Sequence, residues 1–341
     1  NRSIFSRKLQ ELMTDRLNKG QQTILFLNRR GYAGFVSCRS CGEVMKCPHC
    51  DVSLSEHKGG RLICHYCGYT QPMPKLCPKC GSKYILGFKA GTQQIEEKLK
   101  ELYPGVRTLR MDADTTRTKD SYEKILSSFA NGEADVLIGT QMIVKGHDFP
   151  KVTLVGILAA DLSLNASDYR AGERTFQLLT QAVGRAGRGV LPGEAVIQTY
   201  QPDHYAITCA AAQDYESFYQ EEILYRELSG YPPVAHMLAV QIYGKEEENV
   251  KQLALRLTDV VKSNMDFLSG KQKEQSNKIQ VLGPAPANIS KINDIYRYVF
   301  YVKHAEYDVL VEVKDRLEET LRQWQPRQMS IQFDFDPVSV L

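Results

Sequence analysis

Four Cys-x-x-Cys pairs lie within one short stretch of the chain, and they restrict the fold more than any other feature of the sequence. They contain all but one of the nine cysteines: Cys38/Cys41, Cys47/Cys50, Cys64/Cys67 and Cys77/Cys80. A gap of two residues lets both thiolates of a pair point at one metal ion, and zinc takes four such ligands in a tetrahedron. The pattern therefore predicts two zinc ions per chain, each held by two of the pairs.

The sequence leaves open which pairs share an ion. In a sequential arrangement each pair joins its nearest neighbour. In a nested arrangement one site is Cys38, Cys41, Cys77 and Cys80, and the other is Cys47, Cys50, Cys64 and Cys67. We favour nesting because the shorter inner loop closes at a lower entropic cost. We interpret the nearby His49, His57 and His65 as bystanders, since eight thiolates already satisfy two ions.

A disulfide framework is the competing explanation for paired cysteines. Such frameworks are typical of small secreted domains. This chain has 341 residues and shows no secretory signal at its start. We therefore expect metal binding.

The segments around the cysteine block have the pattern of an α/β domain. A continuous apolar run near Ile24 precedes the block, and four further apolar runs alternate with helical spacing across residues 92–200. Strands that are apolar on both faces are typical of a parallel sheet covered by helices on both sides. We predict such a sheet, with functional loops at the carboxyl ends of its strands and with Thr92 as a helix N-cap.

Two loops of this domain carry residues suited to function. One is residues 139–150, after a predicted strand, and the other is residues 181–189, which contain Arg185 and Arg188. The spacing predicts that the two arginines project from one helical turn. Guanidinium groups suit phosphate oxygens because they donate paired hydrogen bonds. Small residues between the arginines would let another surface approach closely.

These motifs resemble those of superfamily 2 helicases. The sequence Gln-x-x-Gly-Arg-x-Gly-Arg at 181–188 is similar to the sixth helicase motif, residues 139–150 to the fifth, and residues 24–31 to the fourth. A block of four Cys-x-x-Cys pairs directly after the fourth motif resembles the PriA family of primosomal replication-restart helicases. The resemblance covers essentially the whole chain.

The resemblance implies three parts. Residues 1–37 and 81–229 would form a RecA-like second helicase lobe, residues 38–80 an inserted two-zinc module, and residues 230–341 a smaller C-terminal domain. The sequence predicts one helix over 203–228 and then a β-α-β-β-α-β order, typical of a split βαβ fold. In this last domain, residues 283–286 with Lys291 and Arg297 are a candidate DNA-contact surface, or else a turn with solvated charges.

Two motifs of a complete motor do not occur in the sequence. There is no Gly-x-x-x-x-Gly-Lys-Ser/Thr motif, and no predicted strand ends in a magnesium-binding Asp-Glu motif. The loop that holds ATP phosphates and the carboxylate that holds magnesium are therefore expected on a first lobe outside this chain. We expect the chain alone not to hydrolyse ATP. The complete protein would be an ATP-dependent 3′–5′ DNA helicase that recognises stalled or branched forks and initiates primosome assembly.

The resemblance also implies roles for single residues. Arg188 would be the arginine finger that reaches the γ-phosphate, with Arg185 and Gln181 beside it. Gly146 and Asp148 would approach the nucleotide, and ATP with Mg²⁺ would bind together with the first lobe. Contacts to the DNA backbone would come from Arg29, Arg30, Thr92 and Thr140.

Charge limits the possible partners. The net charge is only +3, so a DNA-binding surface must be a local patch. Residues 57–89 are one candidate, with six basic and no acidic side chains, although these cations could instead offset the charge of the zinc centres. No apolar run approaches the ~20 residues of a membrane span, so no membrane partner is expected.

The remaining partners follow from the resemblance. They are single-stranded and forked DNA, the single-stranded-DNA-binding protein, and other primosome proteins including the replicative-helicase loading system. The expected location is the cytoplasm, at the nucleoid.

Two other functions stay open. A zinc-ribbon DNA-binding or scaffold protein without motor activity would explain the cysteines, but it gives no reason for Gln181, Arg185 and Arg188 to occur together. Another superfamily 2 repair helicase would explain the arginines, but not the cysteine block at this point of the chain.

Overall fold

The chain contains a five-stranded sheet, a four-stranded sheet and a small module of short strands, as seen in a computed structural model. The structure describes residues 4–27, 36–38, 40–49, 53–57, 60–64, 67–87, 91–112, 115–116, 119–144, 148–166, 168–187, 189, 191–263 and 278–338. The predicted site residues outside this part are Arg29, Arg30, Cys50, Gly146 and Arg188.

The five-stranded sheet is built around its first strand. Helix α1 (Arg7–Asn18) leads into β1 (Gln22–Leu27), in which all six residues are buried. The side chains of β1 alternate between two cores, with Phe26 on one face and Leu27 on the other. This double burial is what a continuous apolar run predicts for a central strand.

The cysteine-rich module follows β1. Its strands are β2 (Val36–Cys38), β3 (Ser55–His57), β4 (Arg61–Ile63), β5 (Thr70–Pro72) and β6 (Ile85–Gly87). β2 pairs antiparallel with β6 and closes the base, while β3, β4 and β5 form a small antiparallel sheet between them. The chain therefore leaves the lobe and returns to it through this one pair of neighbouring strands.

Alternating helices and strands then complete the lobe. They are α2 (Thr92–Leu102), β7 (Thr108–Met111), α3 (Lys119–Ala130), β8 (Val136–Gly139), a 3₁₀ turn (Gln141–Val144), β9 (Val152–Leu158), α4 (Asp161–Leu164), α5 (Ala171–Val183), β10 (Glu194–Ile197), α6 (Tyr205–Ala212) and α7 (Tyr215–Ser229). The sheet order is β10-β9-β1-β8-β7, and all its pairings are parallel. Helices α1 and α2 cover one face, and α3, α5 and α6 the other. The predicted RecA-like lobe is confirmed.

The single helix predicted over 203–228 is wrong. Helices α6 and α7 are separated by Gln213, which takes a left-handed conformation with a φ of 55°. Asp214 then caps α7, because its carboxylate accepts a hydrogen bond from the Ser217 amide at 3.0 Å. The sequence hides this break because no glycine or proline marks it.

The C-terminal domain has the predicted β-α-β-β-α-β order. Its elements are β11 (His236–Gly244), α8 (Glu247–Ser263), β12 (Gln280–Ile292), β13 (Ile295–His304), α9 (Tyr307–Trp324) and β14 (Met329–Phe335). The sheet order is β12-β13-β11-β14 with antiparallel pairing throughout, which is the split βαβ arrangement. Residues 283–286 do not form an isolated turn but lie within β12, beside a shift in its register.

One hydrophobic core joins the cysteine module to the C-terminal sheet. Leu54 and Leu62 of the module are buried in the same cluster as four residues of the sheet, Met237, Ala239, Val299 and Tyr301. A Cβ added to Gly68 would lie 3.2 Å from the Pro284 carbonyl oxygen. On the lobe side, a Cβ added to Gly42 would lie 2.4 Å from Tyr200 Cβ. The module is therefore packed closely against both neighbours.

A buried arginine forms a second link between the lobe and the C-terminal domain. The guanidinium of Arg226 donates hydrogen bonds to Glu222 at 2.6 Å, to Glu173 at 2.9 Å and to the Pro232 carbonyl at 2.6 Å. Burial raises the pKa of Glu173, but hydrogen bonds from Arg170 and Arg226 outweigh it, so that this pKa lies below its ordinary value. Arg226 thus pairs with both carboxylates in a poorly solvated place, and Arg170 adds a second cation at Glu173.

Replacing Arg226 with Leu should lower the free energy of unfolding by about 3 kcal/mol, because the buried Glu222 loses its counter-ion. The pKa of Glu173 is lower in the folded chain, so the ionised Glu173 adds to the free energy of unfolding at neutral pH. This stabilisation is lost as the pH falls through the lowered pKa. The difference between the two proteins should therefore shrink in acid. Urea unfolding at several pH values measures it.

The control is Arg316→Ala on α9, where the arginine side chain is 54% exposed and its loss should cost less than about 0.5 kcal/mol. A cost for Arg226→Leu no larger than the control would contradict this account of the link.

Candidate metal centres and arginine loop

The four outer cysteines converge at the base of the module. The Sγ atoms of Cys38, Cys41, Cys77 and Cys80 all lie within 4.8 Å of one another. The Sγ–Sγ distance is 3.6 Å for Cys38 and Cys80 and 3.7 Å for Cys41 and Cys77. Sulfurs at the corners of a zinc tetrahedron, ~2.3 Å from the ion, are about 3.8 Å apart. The residues present therefore fit zinc.

A second group forms over the inner hairpin. The Sγ atoms of Cys47, Cys64 and Cys67 satisfy the same 4.8 Å limit, and Cys47 and Cys67 are 3.6 Å apart. The fourth predicted ligand, Cys50, lies outside the described residues. The two groups follow the nested arrangement, since a sequential one would join the first pair to the second.

Glycine shapes three of the four cysteine turns. In each, the amide of the glycine after the second cysteine donates to the carbonyl of the first cysteine at 2.9 Å: Gly42 to Cys38, Gly68 to Cys64 and Gly81 to Cys77. These glycines have φ values of 78°, 76° and 70°. Because that conformation costs other residues roughly 1 kcal/mol or more, Cys-x-x-Cys-Gly encodes the turn as well as the ligands.

The outer group favours the ionisation of one thiol but opposes the ionisation of several thiols at once. Burial opposes the ionisation of Cys38, yet the amides of Cys41 and Ser40 lower the pKa of this thiol to about 6. The Ser82 amide lowers the pKa of Cys80, but neighbouring thiols and burial outweigh it and raise that pKa to about 12. Crowded thiols of this kind release their protons together when a divalent cation binds.

The arginine loop begins where α5 ends. Gln181 is exposed in the last turn of α5, and Gly184 is the C-cap residue. Arg185 follows the cap, and its amide donates to the Ala182 carbonyl at 3.1 Å in a turn that continues the helix end. The prediction that it shares one helical turn with Arg188 stays a prediction, because Arg188 lies outside the described residues. Beyond the cap, Gly187 takes a φ of 71°, and the chain turns back toward the sheet there.

This loop lies at the amino edge of the sheet, not at the carboxyl edge that was predicted. The Gly187 amide donates to the carbonyl of Val152, the first residue of β9, at 3.1 Å. A Cβ on Gly189 would lie 2.4 Å from the Pro150 carbonyl oxygen, and a Cβ on Gly193 would lie 2.1 Å from the Gly187 nitrogen. The prediction overlooked that a segment between α5 and β10 must enter β10 at its amino end.

Close backbone packing brings two predicted nucleotide-site residues together. Nη1 of Arg185 lies 3.8 Å from Oδ1 of Asp148. The arginine side chain is 13% exposed, whereas the aspartate is 68% exposed. Gly146 and Arg188, predicted for the same site, lie outside the described residues.

The predicted DNA-contact residues that the structure describes lie at the opposite, carboxyl edge. Thr140 directly follows β8. Thr92 is not the N-cap of α2, because Gly91 holds that position. The Thr92 hydroxyl instead donates to Oδ2 of Asp112 at 2.5 Å, and Nε of Arg110 lies 2.8 Å from the same oxygen. Sequence reasoning missed this buried carboxylate, although a charged residue directly after an apolar strand was the available signal.

Comparisons with known proteins cover the same parts of the chain. A family model described as helicase conserved C-terminal domain matches residues 76–190. The PriA DNA helicase Cys-rich region domain matches residues 47–72. The primosomal protein N C-terminal domain matches residues 227–338.

Several curated proteins are similar over nearly the whole chain. The replication restart protein PriA of Bacillus subtilis is 43% identical, across 100% of this chain and 41% of its own length. PriA of Synechocystis is 41% identical, across 100% of this chain and 40% of its own length. The chain thus spans about two fifths of the length of these relatives. Among solved structures, the C-terminal domain of the DEAD-box protein Dbp5 aligns with 64% of this chain and 89% of its own at 14% identity, and the TM-score of 0.31 is too low to support an inference.

Replacing Gly193 with Ala should loosen the arginine loop, because the added methyl group overlaps the Gly187 backbone. We expect a cost of about 1–3 kcal/mol and faster hydrogen exchange across residues 184–189. Gly184→Ala is the control, since its Cβ would approach nothing closer than 3.3 Å. Equal exchange in the two variants would show that close packing does not hold the loop.

Proposed function

Because the chain belongs to the replication restart protein PriA family, we propose that it supplies the second motor lobe, the zinc module and the C-terminal domain of an ATP-dependent DNA helicase. The two alternatives are not favoured. A scaffold without a motor would not match a helicase domain, and a different repair helicase would not match the PriA Cys-rich region.

The approach of Arg185 to Asp148 at the amino edge is the observation that carries this proposal. A cationic loop fixed by backbone packing is suited to phosphates, because its donors are already oriented before the ligand arrives. In the proposed motor, Arg188 is the arginine finger, Arg185 and Gln181 stand beside it, and Gly146 and Asp148 approach the nucleotide. ATP and Mg²⁺ bind jointly with a first lobe, and this chain alone does not hydrolyse ATP.

The carboxyl edge is proposed to hold the DNA strand. Thr140, the amino end of α2 at Thr92, and Arg29 and Arg30 after β1 would contact backbone phosphates. Strand β8 has four residues, so roughly 13 Å of sheet separates this edge from the arginine loop. Closure of the lobes around ATP would then move the DNA-contact residues of this lobe as one rigid unit. The proposed direction is 3′ to 5′.

The proposed setting is replication restart at stalled or branched forks. The partners would be single-stranded and forked DNA, the single-stranded-DNA-binding protein and the primosome proteins that load the replicative helicase. The place of action would be the nucleoid in the cytoplasm. Among the helices that the structure describes, none is long and apolar enough to span a membrane.

The two cysteine quartets are proposed to hold one zinc ion each, with Cys50 completing the inner site. Sites closed by four cysteines are structural, and such an ion supplies folding energy. In this role the protein positions the thiolates through its glycine turns, and no coordination position is left for a substrate.

Replacing Arg188 with Ala in the complete gene product should lower DNA-stimulated ATP turnover by about 10³-fold or more. DNA affinity should stay unchanged, because the residue is assigned to the nucleotide. Arg185→Ala should lower turnover less, and Arg316→Ala on the exposed face of α9 should not lower it. Near-normal turnover of Arg188→Ala would remove the finger assignment.

Metal analysis should find about two zinc ions per chain. Cys77→Ser should remove the outer ion and Cys64→Ser the inner ion, each leaving the other in place. In the complete gene product, both variants should lose DNA unwinding more than ATP turnover. Loss of both ions from either variant, or equal loss of the two activities, would mean that the module acts only as one folding unit.

A further inference from the structure

Strand β14 forms one outer edge of the C-terminal sheet. It pairs antiparallel with β11 on one side, and no strand of the described part of the chain pairs with it on the other. It has seven residues, whereas β7 and β10, the edge strands of the lobe, have four each. An open edge of this length presents a row of backbone donors and acceptors that another strand can use.

The register shows which backbone groups of β14 face outward. The Asp336 amide, one residue past the end of the strand, donates to the Met237 carbonyl at 2.7 Å. Inward- and outward-facing backbone groups alternate along an antiparallel edge strand. The residues that direct their amides and carbonyls toward β11 are therefore Ser330, Gln332 and Asp334. Those that direct them outward are Met329, Ile331, Phe333 and Phe335.

The four residues with outward backbone groups also form an apolar row. Their side chains pack at the border of the core that α8 and α9 cover, and each is half-buried. Both helices pack on the inner strands β11 and β13. A further strand at this edge would therefore extend the hydrogen-bond ladder and the apolar row together.

The opposite edge of the same sheet is protected against such pairing. β12 contains Pro284 and Pro286, which have no amide to donate, and its register with β13 shifts twice. It also contains Lys291, and it packs against the module, where a Cβ on Gly68 would lie 3.2 Å from the Pro284 carbonyl oxygen. Prolines, lysines and irregular register keep edge strands from pairing. β14 has no proline, no lysine and no register shift, so its edge is left open.

We propose that the free edge of β14 binds an extended segment of a partner protein as an added antiparallel strand. A row of outward amides and carbonyls is matched by another extended backbone, whose main-chain hydrogen bonds supply affinity while its side chains supply specificity. Segment residues opposite Ile331, Phe333 and Phe335 share their face and are apolar. A cation of the segment faces Asp334, which is exposed on the other face and has no ion pair among the described residues.

A second copy of the chain fits this edge less well. Antiparallel pairing of two β14 strands about Gln332 would place Asp334 opposite Ser330, so that the carboxylate would gain no cation. A partner segment with a basic residue compensates it. The proposal is independent of the motor assignment, because β14 contributes no residue to the arginine loop or to the carboxyl edge of the lobe.

The test measures binding of fluorescent peptides to the whole chain by anisotropy. The probe is a synthetic peptide as long as β14 that alternates valine with lysine and threonine, and its control has the same residues with the valines grouped together. The control peptide should bind more weakly. Two further peptides carry N-methyl groups, either on the valine amides or on the amides between them. Methylated valine amides should weaken binding by about tenfold or more, because these amides donate to the outward carbonyls of β14. Methylation of the other amides should leave the affinity unchanged.

A charge exchange tests the place of binding. Asp334→Lys should weaken binding of the lysine peptide by about 3-fold or more and strengthen binding of a peptide with glutamate in place of lysine. Glu221→Lys makes the same change at an exposed position of α7 and should do neither. Bound peptide should slow hydrogen exchange in β14 and leave β12 unchanged.

Equal binding of the two N-methylated peptides, equal effects of the two charge variants, or protection of β12 instead of β14 would overturn the proposal. A concentration-dependent dimer in light scattering, with no peptide binding, would also overturn it and assign the edge to a second copy of the chain. Trp324 fluorescence and zinc content verify that each variant is folded.

Discussion

Closure of the cysteine module by residues far apart in sequence determines how the three parts of the chain are joined. The outer quartet joins Cys38 and Cys41 to Cys77 and Cys80 at the base, where Gly42 packs against Tyr200 of the lobe. Cys47, Cys64 and Cys67 of the inner group belong to the core shared with the C-terminal sheet. A module held at both ends in this way connects the lobe to the last domain through packed side chains. We therefore expect the proposed zinc ions to affect domain position as well as local folding.

The lobe places the two proposed sites at opposite ends of the strands of one sheet. The arginine loop and Asp148 lie at the amino edge, and Thr140 and the start of α2 lie at the carboxyl edge. The β strands between the two edges are buried on both faces and pack like a solid. In the proposed motor, force generated at the nucleotide would thus reach the DNA without a hinge inside this lobe.

The sequence was informative wherever one residue type has a single physical reason for its position. Cysteine pairs predicted the metal ligands, and apolar runs predicted the parallel sheet. The sequence was less informative about features that depend on tertiary packing. Gln213 breaks a helix without a glycine, and Gly91 replaces Thr92 as the cap because the threonine hydroxyl donates to Asp112. The contact between the module and Tyr301 joins residues more than 200 positions apart, and no local pattern encodes it.

Hydrogen exchange before and after zinc removal tests most directly whether the module holds the domains together. Chelation should speed exchange in β4, β11 and β13, which form the shared core, while the buried strands β8 and β9 of the lobe stay protected. Uniform acceleration over the whole chain would mean that the metal supports folding globally. Unchanged exchange in β11 and β13 would mean that the C-terminal domain does not depend on the module, and either result would contradict this account.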